Sequence, residues 1–526
     1  MGVLEDLEPK KVFYYFEELT KIPHGSYNVD KISDYLADFG KNHGLQTIQD
    51  EYKNVIIIKE ATEGYEDLPP LILQGHMDMV AVHTPELDID MKKEPLKVAV
   101  SENGDYIYAK GTSLGGDDGV AVAYCLALLD DESLKHPRLE VVFTTNEETG
   151  MEGANGIDLS MLKGNRLLNL DSEDEGIFLT SCAGGLRANV YFPMNGVSCE
   201  DIKKEYGEES FVCDVEIGGL LGGHSGEEII KGRANSNKLS ARLMYEYASG
   251  SYKKAEQDRV AGKAGGKVYI TYIDGGLADN AIPRVTKFGL VVSDVKSFEE
   301  KVKSFNKDIK DEYGSVDPDI YCRILSSKPL CDNGSASGAD SFAFDAGEAV
   351  KFLFTVPNGV QAMSADVEGL VQTSLNLGIV RSEEITGDNP LSGADLTGGS
   401  LLHATFSVRS SIESAKDELT ARVCCLAESF GGRAVLSGNY PGWAYRADSP
   451  LRDKMTALYK KMYGSEPVLK AIHAGLECGI LGSKIKDLDC VSIGPDMKDI
   501  HTTEEKLYIE SSRRVYEFVR ALIEEK

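Results

Sequence analysis

Pro70-Leu71-Ile72-Leu73-Gln74-Gly75-His76-Met77-Asp78 is a short apolar run, bounded by proline, that ends on a histidine and an aspartate two residues apart. Such runs fit strands buried on both faces. The arrangement recurs. Leu139 to Thr145 runs into Asn146-Glu147-Glu148-Thr149, Leu167 to Leu170 into Asp171-Ser172, and Val491-Ser492-Ile493 into a loop that reaches Asp499-Ile500-His501-Thr502. Between them, Gly115-Gly116-Asp117-Asp118-Gly119 opens a helix in which Val122, Cys125, Leu126 and Leu129 cluster. Strands alternating with helices predict an α/β layer on a largely parallel sheet. Open sheets of that kind gather ligands at the carboxyl ends of their strands.

Each motif also has an ordinary reading. His76 and Asp78 can be a satisfied polar pair, and Asp117 or Asp118 a helix N-cap. Glu147-Glu148 can be a solvated pair, Asp171 with Glu173, Asp174 and Glu175 an exposed acidic turn, and His501 a loop histidine. Jointly they mean more. Five acidic or histidine sites at strand ends of one layer concentrate negative charge in one crevice, which is unstable without cations. Two divalent ions resolve it. His76 can ligate, with Asp78 orienting it from the same side of an extended backbone. The carboxylate of Asp117 has two oxygens and can bridge two ions. Glu147 and Glu148 point in different directions, so one can ligate while the other serves the reacting water as general base. The implied chemistry is metal-assisted hydrolysis of an amide. Nitrogen and oxygen ligands suit Zn²⁺, Mn²⁺ or Co²⁺.

The bulk numbers agree. With 526 residues the chain is too long for one simple core. The formal charge of −29, from 56 basic and 85 acidic residues, argues against nucleic-acid binding, which needs a basic surface. Ten cysteines without a C-x-x-C pair suit free thiols in a reducing compartment. Met1-Gly2-Val3-Leu4-Glu5-Asp6 has neither the basic start nor the apolar stretch of a signal peptide. No run is long and apolar enough for a membrane span. A cytoplasmic protein without membrane or nucleic-acid partners is expected.

Near residue 185 the pattern changes. Segments 187–193, 211–217, 267–273, 286–293 and 402–409 alternate apolar and polar residues, which predicts antiparallel strands. Helical stretches at 233–249, 297–312 and 412–430 interleave with them. After Trp443 the α/β pattern resumes and ends in a helix at 504–525. The expected architecture is a discontinuous α/β catalytic domain of residues 1–185 and 441–526, with an α+β domain of residues 186–440 inserted. Gly- and Ser-rich stretches at 332–341 and 387–400 read as long loops.

These motifs resemble the two-zinc metallopeptidases that include carnosinases, aminoacylases and tripeptidases, and most of all the aminoacyl-histidine dipeptidases. The likeness runs nearly end to end. Besides the motifs above it rests on Gly223-His224-Ser225-Gly226, Pro357-Asn358-Gly359-Val360 and Ala471-Ile472-His473-Ala474-Gly475-Leu476-Glu477. The resemblance implies that His76 and Asp171 hold one metal, Glu148 and His501 the other, and that Asp117 bridges. Glu147 would be the general base and Asp78 the residue that orients His76. The inserted domain would be a lid, also used for dimerisation, so that a homodimer is expected. From it His224 would stabilise the oxyanion, Arg409 would clamp the substrate carboxylate, and Asn280 would lie near the substrate. Gly475 also falls at a substrate-binding position. The implied activity is cleavage of short peptides such as Ala-His. N-acyl amino acid hydrolysis or tripeptidase activity is the alternative within the family. A non-catalytic metal-binding relative is the reading outside it. One departure stands out: relatives of this subgroup often carry Asp-Asn where this chain has Asp117-Asp118.

Overall fold

The computed structural model describes residues 2–249, 267–330, 342–384 and 400–526. The stretches expected as long loops at 332–341 and 387–399 lie outside the described residues. The chain divides into two compact units, Met1–Cys182 with Trp443–Lys526, and Ala183–Gly442.

The first unit is built on an eight-stranded sheet. Its strands lie in the order Gln46–Gln49, Val55–Lys59, Leu139–Thr144, Leu71–His76, Arg166–Asn169, Asp489–Ser492, Ile177–Cys182, Val468–Ile472. The four central strands run parallel, with His76 level with Thr144, Gln74 with Asn169, and Ser492 with Asn169. The first two strands pair antiparallel, which makes the sheet mixed around a parallel centre. Every residue of Leu71–His76 and Leu139–Thr144 is buried, because helices cover both faces of a parallel sheet. The helix Gly116–Leu129 is buried along its whole length. An apolar helix of this kind belongs inside a layer, and each large side chain it hides contributes about 1.5–3 kcal/mol. Helix Lys10–Thr20 is amphipathic, and buries Val12, Phe13, Phe16 and Leu19 in the same core.

A small antiparallel sheet of Val98–Val100, Tyr106–Ala109, Met497–Lys498 and Lys506–Tyr508 also belongs to this unit. The loop that carries His501 joins its last two strands.

The second unit is a ten-stranded antiparallel sheet with a core of Phe288, Phe298, Phe305, Phe352 and Phe406. Its longest strands are Gly184–Ser198, Val371–Glu384 and Ser400–Ser410, and the helices Ser236–Ser249, Val295–Tyr313 and Glu413–Ser429 pack with it. Among the described residues the cysteines depart from expectation at Cys199. Eight are free thiols, but Cys199 is disulfide-bonded. Pairing depends on which residues the fold brings together, and spacing along the chain does not show it.

Candidate metal centre

Three strand ends and one hairpin converge on Asp117. His76 is the last residue of its strand, and Gly75 before it lets the helix Gly116–Leu129 come close. A Cβ at Gly75 would meet Asp118 Oδ2 at 2.5 Å and the Ala121 methyl at 2.8 Å. Two carboxylates, Asp118 and Glu505, fix the helix start. Asp118 Oδ2 accepts the His76 backbone N–H at 3.1 Å, and four backbone N–H groups at the helix start are capped from far along the chain. Glu505 accepts from Leu114 at 2.7 Å, Gly115 at 3.1 Å, Gly116 at 2.8 Å and Asp117 at 3.3 Å. Those of Gly115, Gly116 and Asp117 are among the donors that a helix start leaves unpaired.

The Asp117 carboxylate then points each oxygen at a different histidine. Oδ1 lies 3.1 Å from His76 Nε2, and Oδ2 lies 3.1 Å from His501 Nε2. Asp171 Oδ1 is 3.6 Å from His76 Nε2 on one side. Glu148 Oε1 is 3.0 Å from His501 Nε2 on the other. His76, Asp117 and Asp171 form one group whose ligand atoms lie within 4.8 Å of one another, and Asp117, Glu148 and His501 form a second. Donor atoms sharing a zinc ion at about 2 Å sit roughly 3–3.5 Å apart, so the spacing fits. Glu148 Oε1 is buried and faces the His501 imidazole, as suits two ligands of one ion.

The electrostatics say the same. Burial alone would lower the His76 imidazole, but Asp171, Asp117 and Asp78 outweigh it and hold it well above the usual range. Hydrogen bonds to Asp117 and Glu148 push His501 up to about 10. Burial raises Asp171 to about 7. A crowd of carboxylates that keeps its histidines protonated is short of positive charge, and a divalent cation supplies it.

Residues 72–525 match Peptidase family M20/M25/M40. The chain belongs to this peptidase family. It is 31% identical to the cytosol non-specific dipeptidase of Escherichia coli (strain K12), over 100% of this chain and 99% of that protein. The crystal structure of aminoacylhistidine dipeptidase from Vibrio alginolyticus aligns with a TM-score of 0.84 at 30% identity, covering 99% of this chain and 97% of that one. An aminopeptidase PepT from Bacillus cereus shares the fold, with a TM-score of 0.54 at 14% identity over 98% of each chain. The protein is therefore a hydrolase of peptide bonds.

In this M20 peptidase Glu147 and Asp78 lie beside these groups. Glu147 follows the strand Leu139–Thr144, and burial raises its carboxyl well above the ordinary glutamate value. Its backbone N–H donates to Asp78 Oδ1 at 3.0 Å. Asp78 stands 3.6 Å from His76 Nδ1, while the backbone carbonyl of Asp78 is closer, at 2.9 Å. The orienting oxygen nearest His76 is thus main-chain. Gly475 lies in the first unit, in the turn between strand Val468–Ile472 and helix Glu477–Lys484.

The second unit brings three of the expected residues together. His224 pairs with Ala281 across a short ribbon. The carbonyl of Asn280 next to it accepts the Ser225 N–H at 2.8 Å. Burial and the charge of Arg409 both lower the His224 imidazole. Arg409 is 8% exposed, donates to the Tyr440 hydroxyl at 3.3 Å, and leaves Nε without a partner among the described residues.

Sequence reasoning missed the roles of four residues. Ser26 donates to Asp78 Oδ2 at 2.7 Å, Asp118 braces His76, and Glu505 caps the bridging turn. Glu477 is a fully buried acid beneath the strand ends. None has a local signal, because each acts on a partner at least 42 residues away.

Proposed function

We propose that this M20 peptidase is a cytoplasmic dipeptidase dependent on two divalent ions, with zinc as the first candidate and Mn²⁺ or Co²⁺ as substitutes, acting on short peptides of the Xaa-His kind. The observation that carries the reading is the Asp117 carboxylate shared between two histidine-containing groups. His76 and Asp171 would hold one ion, Glu148 and His501 the other, with Asp117 common to both. The ions, when bound, acidify water and polarise the scissile carbonyl. Glu147 takes the proton of the attacking water and returns it to the leaving amine. Its raised pKa suits a base that must also act as an acid near neutral pH. Asp78 holds Glu147 by its backbone N–H and keeps His76 oriented. His224 is assigned the developing oxyanion and Arg409 the carboxylate of the substrate, for which a guanidinium fork is well shaped. Asn280 and Gly475 are assigned to substrate binding. Pairing of two copies through the second unit belongs to the same proposal. The cytosolic relative from Escherichia coli supports the location, and no described helix is long and apolar enough to cross a membrane.

The test is to strip the protein with a chelator, restore Zn²⁺, Mn²⁺ or Co²⁺ singly, and assay Ala-His, β-Ala-His, Ala-Ala, a tripeptide and N-acetyl-alanine. Metal-restored cleavage confined to the dipeptides supports the proposal. Cleavage mainly of the tripeptide or of N-acetyl-alanine keeps the mechanism and overturns the substrate. No cleavage with any metal overturns both.

A further inference from the structure

Beneath the ligands lies a polar chain with a direction. Glu477 is fully buried. Its Oε2 accepts from Gln74 Nε2 at 2.6 Å and from the Thr144 hydroxyl at 2.5 Å. Gln74 Oε1 accepts from Asn169 Nδ2 at 2.7 Å. Asn169 Oδ1 in turn accepts the backbone N–H of Asp171 at 3.4 Å. Gln74, Thr144 and Asn169 sit on three adjacent parallel strands.

An amide side chain can face either way, because it has a donor end and an acceptor end. Flipping Gln74 would set its NH₂ against that of Asn169, so each amide in the chain constrains the next. Oε2 of Glu477 accepts from both Gln74 and Thr144, and as a carboxylate, unlike an amide, Glu477 cannot turn an NH₂ toward Gln74, so it fixes the direction of the chain. Its other oxygen has no partner among the described residues. A buried carboxylate with an unpaired oxygen is a costly choice over a neutral amide of the same shape. The cost is explained if the acceptor-only end is what the site needs. Glu477 opens the helix Glu477–Lys484, but these bonds run to the strands, so helix capping does not account for them.

We infer that Glu477 is a positioning residue: it sets the polarity of the Gln74–Asn169 amide relay, and so presents Asp171 correctly to the ion shared with His76. The inference rests on the two-ion reading above.

The test is Zn²⁺ titration of the chelator-stripped full chain by calorimetry, read as two separate affinities. Glu477→Gln loses the acceptor-only end. It weakens one of the two ions by about 10- to 100-fold, the range for groups that orient ligands, and leaves the other within about threefold. Exchanging the two groups, Gln74→Glu with Glu477→Gln, restores an acceptor at position 74 facing Asn169 and a donor at position 477 facing that acceptor. This double variant recovers the wild-type affinities, which a generally damaged fold would not do. Wild-type affinities in Glu477→Gln overturn the inference. So does equal weakening of both ions that the exchange fails to rescue. Should Glu477→Gln not fold, the exchange variant decides: two ions bound at wild-type affinity support the relay, and anything weaker overturns it. A wild-type protein that takes up fewer than two ions overturns the two-ion reading itself.

Discussion

The carboxylate of Glu505 accepts the backbone N–H of Gly116 at 2.8 Å, and it takes up the N–H groups of Leu114, Gly115 and Asp117 as well. One side chain thus holds the whole turn that presents Asp117. Burial still raises its pKa, against the pull of those bonds.

Glu505→Ala strands several buried donors, each worth about 1–3 kcal/mol when left unsatisfied. The metal-free protein should melt at lower temperature, and retained zinc should fall for both positions together because Asp117 is common to them. Differential scanning calorimetry with elemental analysis of the dialysed variant checks both. Unchanged zinc content would show that the turn holds Asp117 without Glu505.

Glu147→Gln should retain two ions per chain and lose turnover by about 10²–10⁴-fold, the usual contribution of a positioned acid–base group. Steady-state kinetics on Ala-His beside a metal assay separates the two effects. Turnover near wild type at full metal content would remove Glu147 from the proton-transfer role.

His224→Ala should lower kcat by about 10²–10³-fold, the scale of one oxyanion donor. An effect confined to KM would place His224 in ground-state binding.

Arg409→Met should erase the difference between a dipeptide and its C-terminal amide. In the wild type the free carboxylate should gain about 10- to 100-fold in kcat/KM, from a charge-assisted pair worth about 1.5–3 kcal/mol. If the variant still prefers the carboxylate by the same factor, another group recognises it.

The pH dependence of the second unit should carry the mark of Glu228. This carboxylate pairs with Lys231 at 2.6 Å and accepts the His224 N–H at 3.0 Å. Those contacts lower it from 4.5 to about 2 in the fold. A depressed carboxyl stabilises the folded state above its unfolded pKa, and that contribution is lost as pH falls through its folded pKa. Glu228→Gln should therefore be less stable than wild type at neutral pH, with the gap narrowing below about 4.5. Urea melts at a series of pH values measure it. A constant gap would refute the assignment.

Much of the first unit was legible because its strands are short apolar runs that end on chemistry. Leu71–His76 and Leu139–Thr144 announce their burial and the polar residues at their ends. The second unit was harder. Val371–Glu384 is a long strand that sequence reading passed over, since Thr373, Ser374 and Asn376 are polar yet buried, and so break the alternation. Asn376 is satisfied by the carbonyls of Asp279 and Ala281, which no local pattern reveals. The site shows the same limit. His76, Asp117, Glu148 and Asp171 stand where local spacing puts them, whereas Ser26, Glu477 and Glu505 matter only through partners that the fold supplies.

The first unit is closed by its far end. Asp117 and His501 touch across 384 residues, and the strand Asp489–Ser492 slots between strands made much earlier. A growing chain therefore carries four of its five candidate ligands long before the fifth is made. On the proposed two-ion reading, the centre is completed only when the last hairpin has been made.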